Sequence, residues 1–166
     1  MLNARFLALL AAASISVAGC AEATKPAPAS STVTPVYQGR HCGRSAATSQ
    51  ITWIQDRAQL DDVFQRMRRT TIGAKPAPQV DFERNGLVLI ELGQRPTAGY
   101  QMRLASQRMV MDRGDGLITF SVDTPGGYAA QVMTSPCLLV AVPRGDYKGV
   151  RALSTDNAIS VQTAVP

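Results

Sequence analysis

Cys137-Leu138-Leu139-Val140-Ala141-Val142 is an unbroken apolar run, and Leu87-Val88-Leu89-Ile90 is a second one. A strand with one face in water alternates apolar and polar residues, whereas a strand covered on both faces does not. Both runs are too short for a helix of ordinary length. They therefore predict two central strands, each covered on both faces. On either side of them the pattern changes to period two. Tyr100, Met102 and Leu104 alternate with Gln101, Arg103 and Ala105, and Ile118, Phe120 and Val122 repeat the pattern. Further short strands are expected at Gln50–Ile54, at Val80–Phe82 with Asn85-Gly86 as a hairpin turn, at Tyr128–Thr134, at Val150–Leu153 and at Ala158–Gln162. Turn signals at Arg113–Gly116, Pro125-Gly126-Gly127, Arg144-Gly145-Asp146 and Asp156-Asn157 separate them. Short strands with regular turns predict a mainly antiparallel β-sandwich or partly open barrel.

One amphipathic helix is expected near the N-terminal side of this β unit. Asp56 is the candidate N-cap, and Gln59 three residues on completes a capping box. Leu60, Val63, Phe64 and Met67 fall at i, i+3, i+4 and i+7, a single apolar stripe. Asp62 and Arg66 have the spacing of a surface ion pair. Gly73 ends the element, and Pro76 and Pro78 prevent its resumption. Arg66, Arg68 and Arg69 read as a solvated last turn in which cations complement the macrodipole. The chain carries a formal net charge of +5, dispersed apart from that trio. No aromatic interleaving accompanies the arginines, so a nucleic-acid interface is not expected.

The residues offer little chemistry. His41 is the sole histidine, so any Ser-His-Asp machine would depend on it, and there is no G-x-S-x-G elbow. The carboxylates lack ligand spacing, and no metal or other cofactor is expected. The methionines Met102, Met109, Met111 and Met133 read as fillers of core gaps. Arg144-Gly145-Asp146 spells an adhesion tripeptide, but a turn between strands accounts for it. The reading is therefore of a protein that is not an enzyme. One segment is not explained by packing alone: Arg95-Pro96-Thr97-Ala98-Gly99-Tyr100, which joins a buried strand to an alternating one. Pro96 stiffens it, and Gly99 permits a positive φ before Tyr100. A rigid connection and a preorganised recognition loop are both consistent with this composition. In the second reading Arg95, Thr97 and Ala98 face solvent, with Arg95 the energetic anchor.

These residues resemble a known family. Val88-Leu89-Ile90-Glu91-Leu92-Gly93-Gln94-Arg95-Pro96-Thr97-Ala98-Gly99-Tyr100, followed by Ser135-Pro136-Cys137 through Pro143-Arg144-Gly145, looks like the C-terminal domain of the protease complex subunit PrcB family. The most specific element is Gly-x-x-Pro-Thr-x-Gly-Tyr. The resemblance implies a non-catalytic subunit that accompanies a surface protease. A shorter stretch, Pro96–Tyr100, is similar to the first signature loop of chagasin-like cysteine-protease inhibitors, with Arg95 in place of Asn and Ala98 in place of Thr. Their glycine-rich second loop has a partial echo in Pro125-Gly126-Gly127, and their third signature has no match here. That similarity implies a protease inhibitor binding through Arg95–Tyr100.

The N-terminus bears on location. Phe6–Val17 is an apolar stretch too short to span a bilayer, preceded by Arg5 and followed by Val17-Ala18-Gly19-Cys20. This looks like a bacterial lipobox. The expected organisation is a signal peptide over 1–19, a lipidated Cys20 (thioether lipid plus palmitate-type acylation) with an Ala/Pro/Ser/Thr-rich linker over 20–36, and one β-rich domain over 37–166. Ala21 after the cysteine favours the outer membrane, facing the periplasm. The expected partners are the membrane, through the lipid, and a secreted or surface protease or other envelope protein. In that oxidising compartment Cys42 and Cys137 are an even pair, and a disulfide is the natural reading. A reactive Cys42 beside His41 is the competing one, weakened because adjacent residues rarely aim their side chains at each other. Mass spectrometry of the mature protein from cells is expected to find Cys20 as its acylated first residue. A mature N-terminus elsewhere, with Cys20 unmodified or absent, contradicts the location.

Overall fold

A computed structural model describes residues 29–70, 73 and 75–166. The signal peptide and Cys20 lie outside the described residues. In chain order the elements are β1 (Ser30–Thr32), β2 (Thr34–Gly39), β3 (Gln50–Ile54), α1 (Arg57–Thr70), β4 (Asn85–Glu91), β5 (Gln101–Leu104), β6 (Arg108–Asp112), β7 (Asp115–Asp123), β8 (Cys137–Pro143), β9 (Gly149–Ser154) and β10 (Ser160–Ala164). They form two sheets. One runs β1-β6-β7-β9-β10, with β5 also paired to β7, and the other runs β2-β8-β4-β3. The protein is a β-sandwich with one helix packed outside it, and no barrel closes among the described strands. Every described strand pair is antiparallel except β7 with β9, whose parallel register runs from Asp115↔Gly149 to Phe120↔Ser154.

The two apolar runs are the middle of the second sheet. β4 and β8 pair antiparallel from Asn85↔Pro143 to Glu91↔Cys137, with β3 and β2 on their outer sides. Successive strand side chains point to opposite faces. Val88, Ile90, Leu138, Val140 and Val142 face the core between the sheets, where they meet Met102, Met109, Ile118 and Phe120. Leu87, Leu89 and Leu139 face the other way, against Leu60, Phe64 and Met67 of α1. The absence of alternation follows from α1 covering the outer face.

The helix begins as its sequence requires. Gln59 N donates to Asp56 Oδ1 at 2.9 Å, and Gln59 Oε1 accepts from Gln55 N at 3.0 Å. Leu60, Phe64 and Met67 are buried and Val63 is half-buried. The Tyr37 and Phe64 rings meet edge to face at 5.0 Å, locking α1 to β2. Cys42 and Cys137 form the disulfide, with Cα atoms 6.0 Å apart and a sequence separation of 95. The chain-entropy view of such a long loop allows about 4.7 kcal/mol. Both cysteines are fully buried, so a reactive Cys42 is excluded by the bridge.

Several sequence expectations are corrected. Ordered structure begins before residue 37: β1 pairs with β6, β2 pairs with β8, and Val33 between them is fully buried. The β-branched residues Thr32, Val33, Thr34 and Val36 outweigh the Pro-rich composition, and Pro35 is tolerated because β2 is an edge strand with a bulge between Pro35 and Tyr37. Val80–Phe82 is not a strand, and Asn85-Gly86 is not a turn. Asp81 Oδ1 accepts from Glu83 N at 3.0 Å and Arg84 N at 3.3 Å, so the chain turns earlier. Gly86 instead lies beneath Trp53, where a Cβ would come within 2.0 Å of the indole. The pair expected between Asp62 and Arg66 does not form: Arg57 takes Asp61 at 2.9 Å, and Arg66 reaches Glu91 at 2.8 Å. Arg144 serves the turn, holding the carbonyls of Phe82 and Gln55 at 2.9 Å each. Met133 is half exposed and fills no core gap, whereas Met102 and Met109 are fully buried.

Phe64→Ala is expected to cost about 3–5 kcal/mol in denaturant unfolding, because it empties the contact between α1 and the sheet. A loss under about 1 kcal/mol would show that α1 is not held by this stripe.

Candidate protein-binding surface

β4 ends at Glu91, and the chain leaves the sheet through a segment clamped on both sides. Leu92 N donates to Pro136 O at 2.9 Å, and Gln94 N to Ala46 O at 2.8 Å. Gly93 has φ +82° and sits where a Cβ would come within 2.5 Å of Ala47 O, so only glycine fits. Arg95 and Thr134 exchange backbone hydrogen bonds in both directions, at 2.8 and 2.9 Å. Thr134 Oγ1 donates to Thr97 O at 3.1 Å, and Ala98 N donates to Ala130 O at 2.9 Å. Gly99 has φ +102°, as its position before Tyr100 led one to expect. Tyr100 is half-buried and packs against the inter-sheet core.

The expectation that Arg95, Thr97 and Ala98 project into solvent is corrected. All three are half-buried, and Pro96 is the exposed residue. The Arg95 guanidinium donates to Ala47 O and Gln94 O, both at 3.0 Å, so it staples the loop to the 46–48 segment. The strand expected at Tyr128–Thr134 is absent. Residues 124–136 form an irregular segment whose only strand-like pairings are the isolated bridges at Thr134 and Ser135. A run of Pro125, Gly126 and Gly127 at one end and Pro136 at the other starves it of ladder hydrogen bonds.

That segment carries what the sequence reading missed. Tyr128 is fully exposed, and Val132 and Met133 are each 51 % exposed; these are the exposed large hydrophobics among the described residues. Three large exposed apolar side chains within six residues make this short segment a candidate interaction site. Beside them, Gly99 abuts Pro125 so closely that a Cβ on Gly99 would lie 2.8 Å from the proline Cβ. The two loops enclose an open cleft of about 320 Å³, lined by Ala98, Gly99, Thr124, Pro125, Gly126, Tyr128 and Ala129. The one sequence signal for this surface was an aromatic following a Pro-Gly-Gly break, where the chain cannot be continuing a covered strand.

A second cleft, of about 210 Å³, lies on the other side of the clamp and includes His41, Arg44, Gln94, Met133 and Ser135. The Ser135 hydroxyl oxygen accepts from Cys42 N at 3.0 Å and Gly43 N at 3.1 Å, so it serves to hold the 42–43 turn. Among the described residues no three His, Cys, Asp or Glu side chains converge as metal ligands, and no helix is long and apolar enough to cross a membrane.

Residues 87–143 match the family model described as PrcB C-terminal. Over this stretch, about a third of the chain, the protein is similar to the PrcB C-terminal unit. The PrcB C-terminal match runs from β4 to the end of β8 and contains both loops of the cleft, so the surface is built within the family's own unit. The family's description suggests an accessory role in a protease complex for proteins with this unit. No curated protein and no solved structure matches the chain. The likeness to chagasin-like inhibitors therefore rests on its loop residues alone.

A buried charge sits at the root of the Arg95–Tyr100 loop. Glu91 is nearly inaccessible; its Oε1 accepts from Arg66 Nη2 at 2.8 Å, while Oε2 is buried without a partner among the described residues. Burial pushes the Glu91 carboxyl above the usual range, against the pull of Arg66 and, more weakly, Arg44. The folded state therefore holds this proton more tightly than the unfolded chain does. The resulting stability is complete below the ordinary glutamate range and is lost as pH rises through the raised folded value. In melts from about pH 4 to about pH 7, wild type should lose stability relative to Glu91→Gln as pH rises. A difference independent of pH would contradict the burial argument.

Proposed function

We propose that the protein is a lipid-anchored, non-catalytic module of the cell envelope, held by Cys20 at the periplasmic face of the outer membrane, that docks to a protease or another envelope protein. The observation that carries this reading is the exposed Tyr128, Val132 and Met133 on a segment stapled to the Arg95–Tyr100 loop. The rigid clamp supports it: a preorganised loop loses less entropy on association than a free one. Tyrosine is also among the residues that most often carry interface energy. In this reading Arg95 shapes the surface, and Tyr128 supplies the anchor. The similarity of residues 87–143 to the PrcB C-terminal unit supports a protease as the class of partner.

A second reading, a direct protease inhibitor, is favoured by one observation. The Pro125-Gly126 loop lies against Gly99, giving the two converging loops that insertion into an active-site cleft requires. Titration against a papain-type cysteine protease separates the two readings. Stoichiometric inhibition that is lost in a Tyr128→Ala, Pro96→Ala double variant would favour the inhibitor.

For the accessory reading, a photo-crosslinking residue placed at position 128 in intact cells is expected to give an adduct containing an envelope protease, whereas one at Asp156 is not. Tyr128→Ala should weaken capture roughly tenfold or more with an unchanged melting temperature. Tyr100→Ala should instead lower the melting temperature, because its ring packs on the core. Equal crosslinking from positions 128 and 156 would remove the surface from consideration.

A further inference from the structure

We propose that the free edge of β2 receives an extended acidic peptide, which adds as a strand alongside Tyr37–Arg40. Among the described residues, β2 is paired with β8 on one side and with no strand on the other. Its other edge borders a groove of about 560 Å³, lined by Pro35–Arg40 together with Lys75 and Gln101. Gln101 opens β5, which belongs to the opposite sheet, so the groove is the seam between the sheets on this side of the sandwich. A strand edge facing such a seam presents backbone N–H and C=O groups, and an extended peptide can complete them by strand addition.

Proteins usually blunt exposed edges with proline, bulges or charge. Here the blunting is confined to the first half of the strand, at Pro35 and the bulge before Tyr37. Tyr37, Gln38 and Gly39 keep regular pairing with β8, and their strand is braced from behind by Phe64 of α1. This half of the edge is regular and, among the described residues, borders an open groove.

Charge selects the occupant. Arg40 and Lys75 line the groove, both exposed, and among the described residues no carboxylate does. Asp123, which faces Gln101 in the β5–β7 register, is held by Arg103 at 2.9 Å. An acidic strand finds cations at the groove and polar amides at Gln38 and Gln101, whereas a basic strand meets repulsion. This surface is separate from the Tyr128 cleft, and the proposal stands whether or not that cleft binds a protease.

The test uses the full chain and a short fluorescein-labelled peptide alternating Glu with Thr. Its Lys-for-Glu counterpart and its backbone N-methylated form serve as controls, and fluorescence anisotropy at low salt is the readout. The acidic peptide should bind, and the basic and N-methylated forms should not. An Arg40→Glu, Lys75→Glu double variant with an unchanged melting temperature should weaken binding roughly fivefold or more. Chemical-shift changes should centre on Tyr37–Arg40. Three outcomes overturn the proposal: no binding of the acidic peptide, equal binding of the N-methylated form, or shifts centred on Tyr128. Vesicles of anionic phospholipid that bind through Arg40 and Lys75 while the peptide does not would reassign the groove to a lipid surface.

Discussion

The pairing of β4 with β8 is the constraint on which the rest of the molecule depends. Each strand places one set of side chains between the sheets and the other set under α1. Burying a Leu, Ile or Val side chain contributes roughly 1.5–3 kcal/mol, and here two cores draw that contribution from the same ladder. A register slip of one residue would exchange the two sets and mismatch both cores at once. The Cys42–Cys137 bridge fixes the end of this ladder, at the residue that pairs with Glu91.

The same ladder decides where the candidate site lies. β4 and β8 are antiparallel, so the exit of one and the entry of the other are neighbours. The Arg95–Tyr100 loop leaves the end of β4, and the irregular 124–136 segment enters the start of β8. Their proximity follows from the sheet, and the exchanged Arg95–Thr134 hydrogen bonds consolidate it. Glu91 occupies the same end. A buried carboxylate held by a half-exposed arginine from α1 is a weak source of stability, since desolvation offsets most of the attraction. It does fix the relation of helix to ladder beneath the loop, because either partner left alone would be costly.

The division between what was legible and what was not follows the range of the interaction. The α1 stripe, the Asp56 cap and the two covered strands are written within a few residues of one another, and each reading matched. The turn at Asp81 was misplaced because Asn85-Gly86 has the stronger local signal, and only the indole of Trp53, thirty-odd positions upstream, explains why Gly86 is needed. Arg66 was assigned a neighbour on its own helix because Glu91 cannot be seen from that helix. The β2 edge was hidden by its Pro-rich approach.

By itself, the sequence determined a mainly antiparallel β-sandwich or partly open barrel with two doubly covered strands and one capped helix, because hydrophobic periodicity and capping are local properties; the pairing into two sheets decided for the sandwich. It also singled out the Arg95–Tyr100 segment, because proline and glycine constrain the backbone wherever they stand. Only the tertiary structure decided that Arg95 is a staple and Tyr128 the exposed aromatic. Whether a side chain meets solvent depends on which distant segment covers it. For Arg95 that cover is Ala47, and for Tyr128 no described segment supplies one.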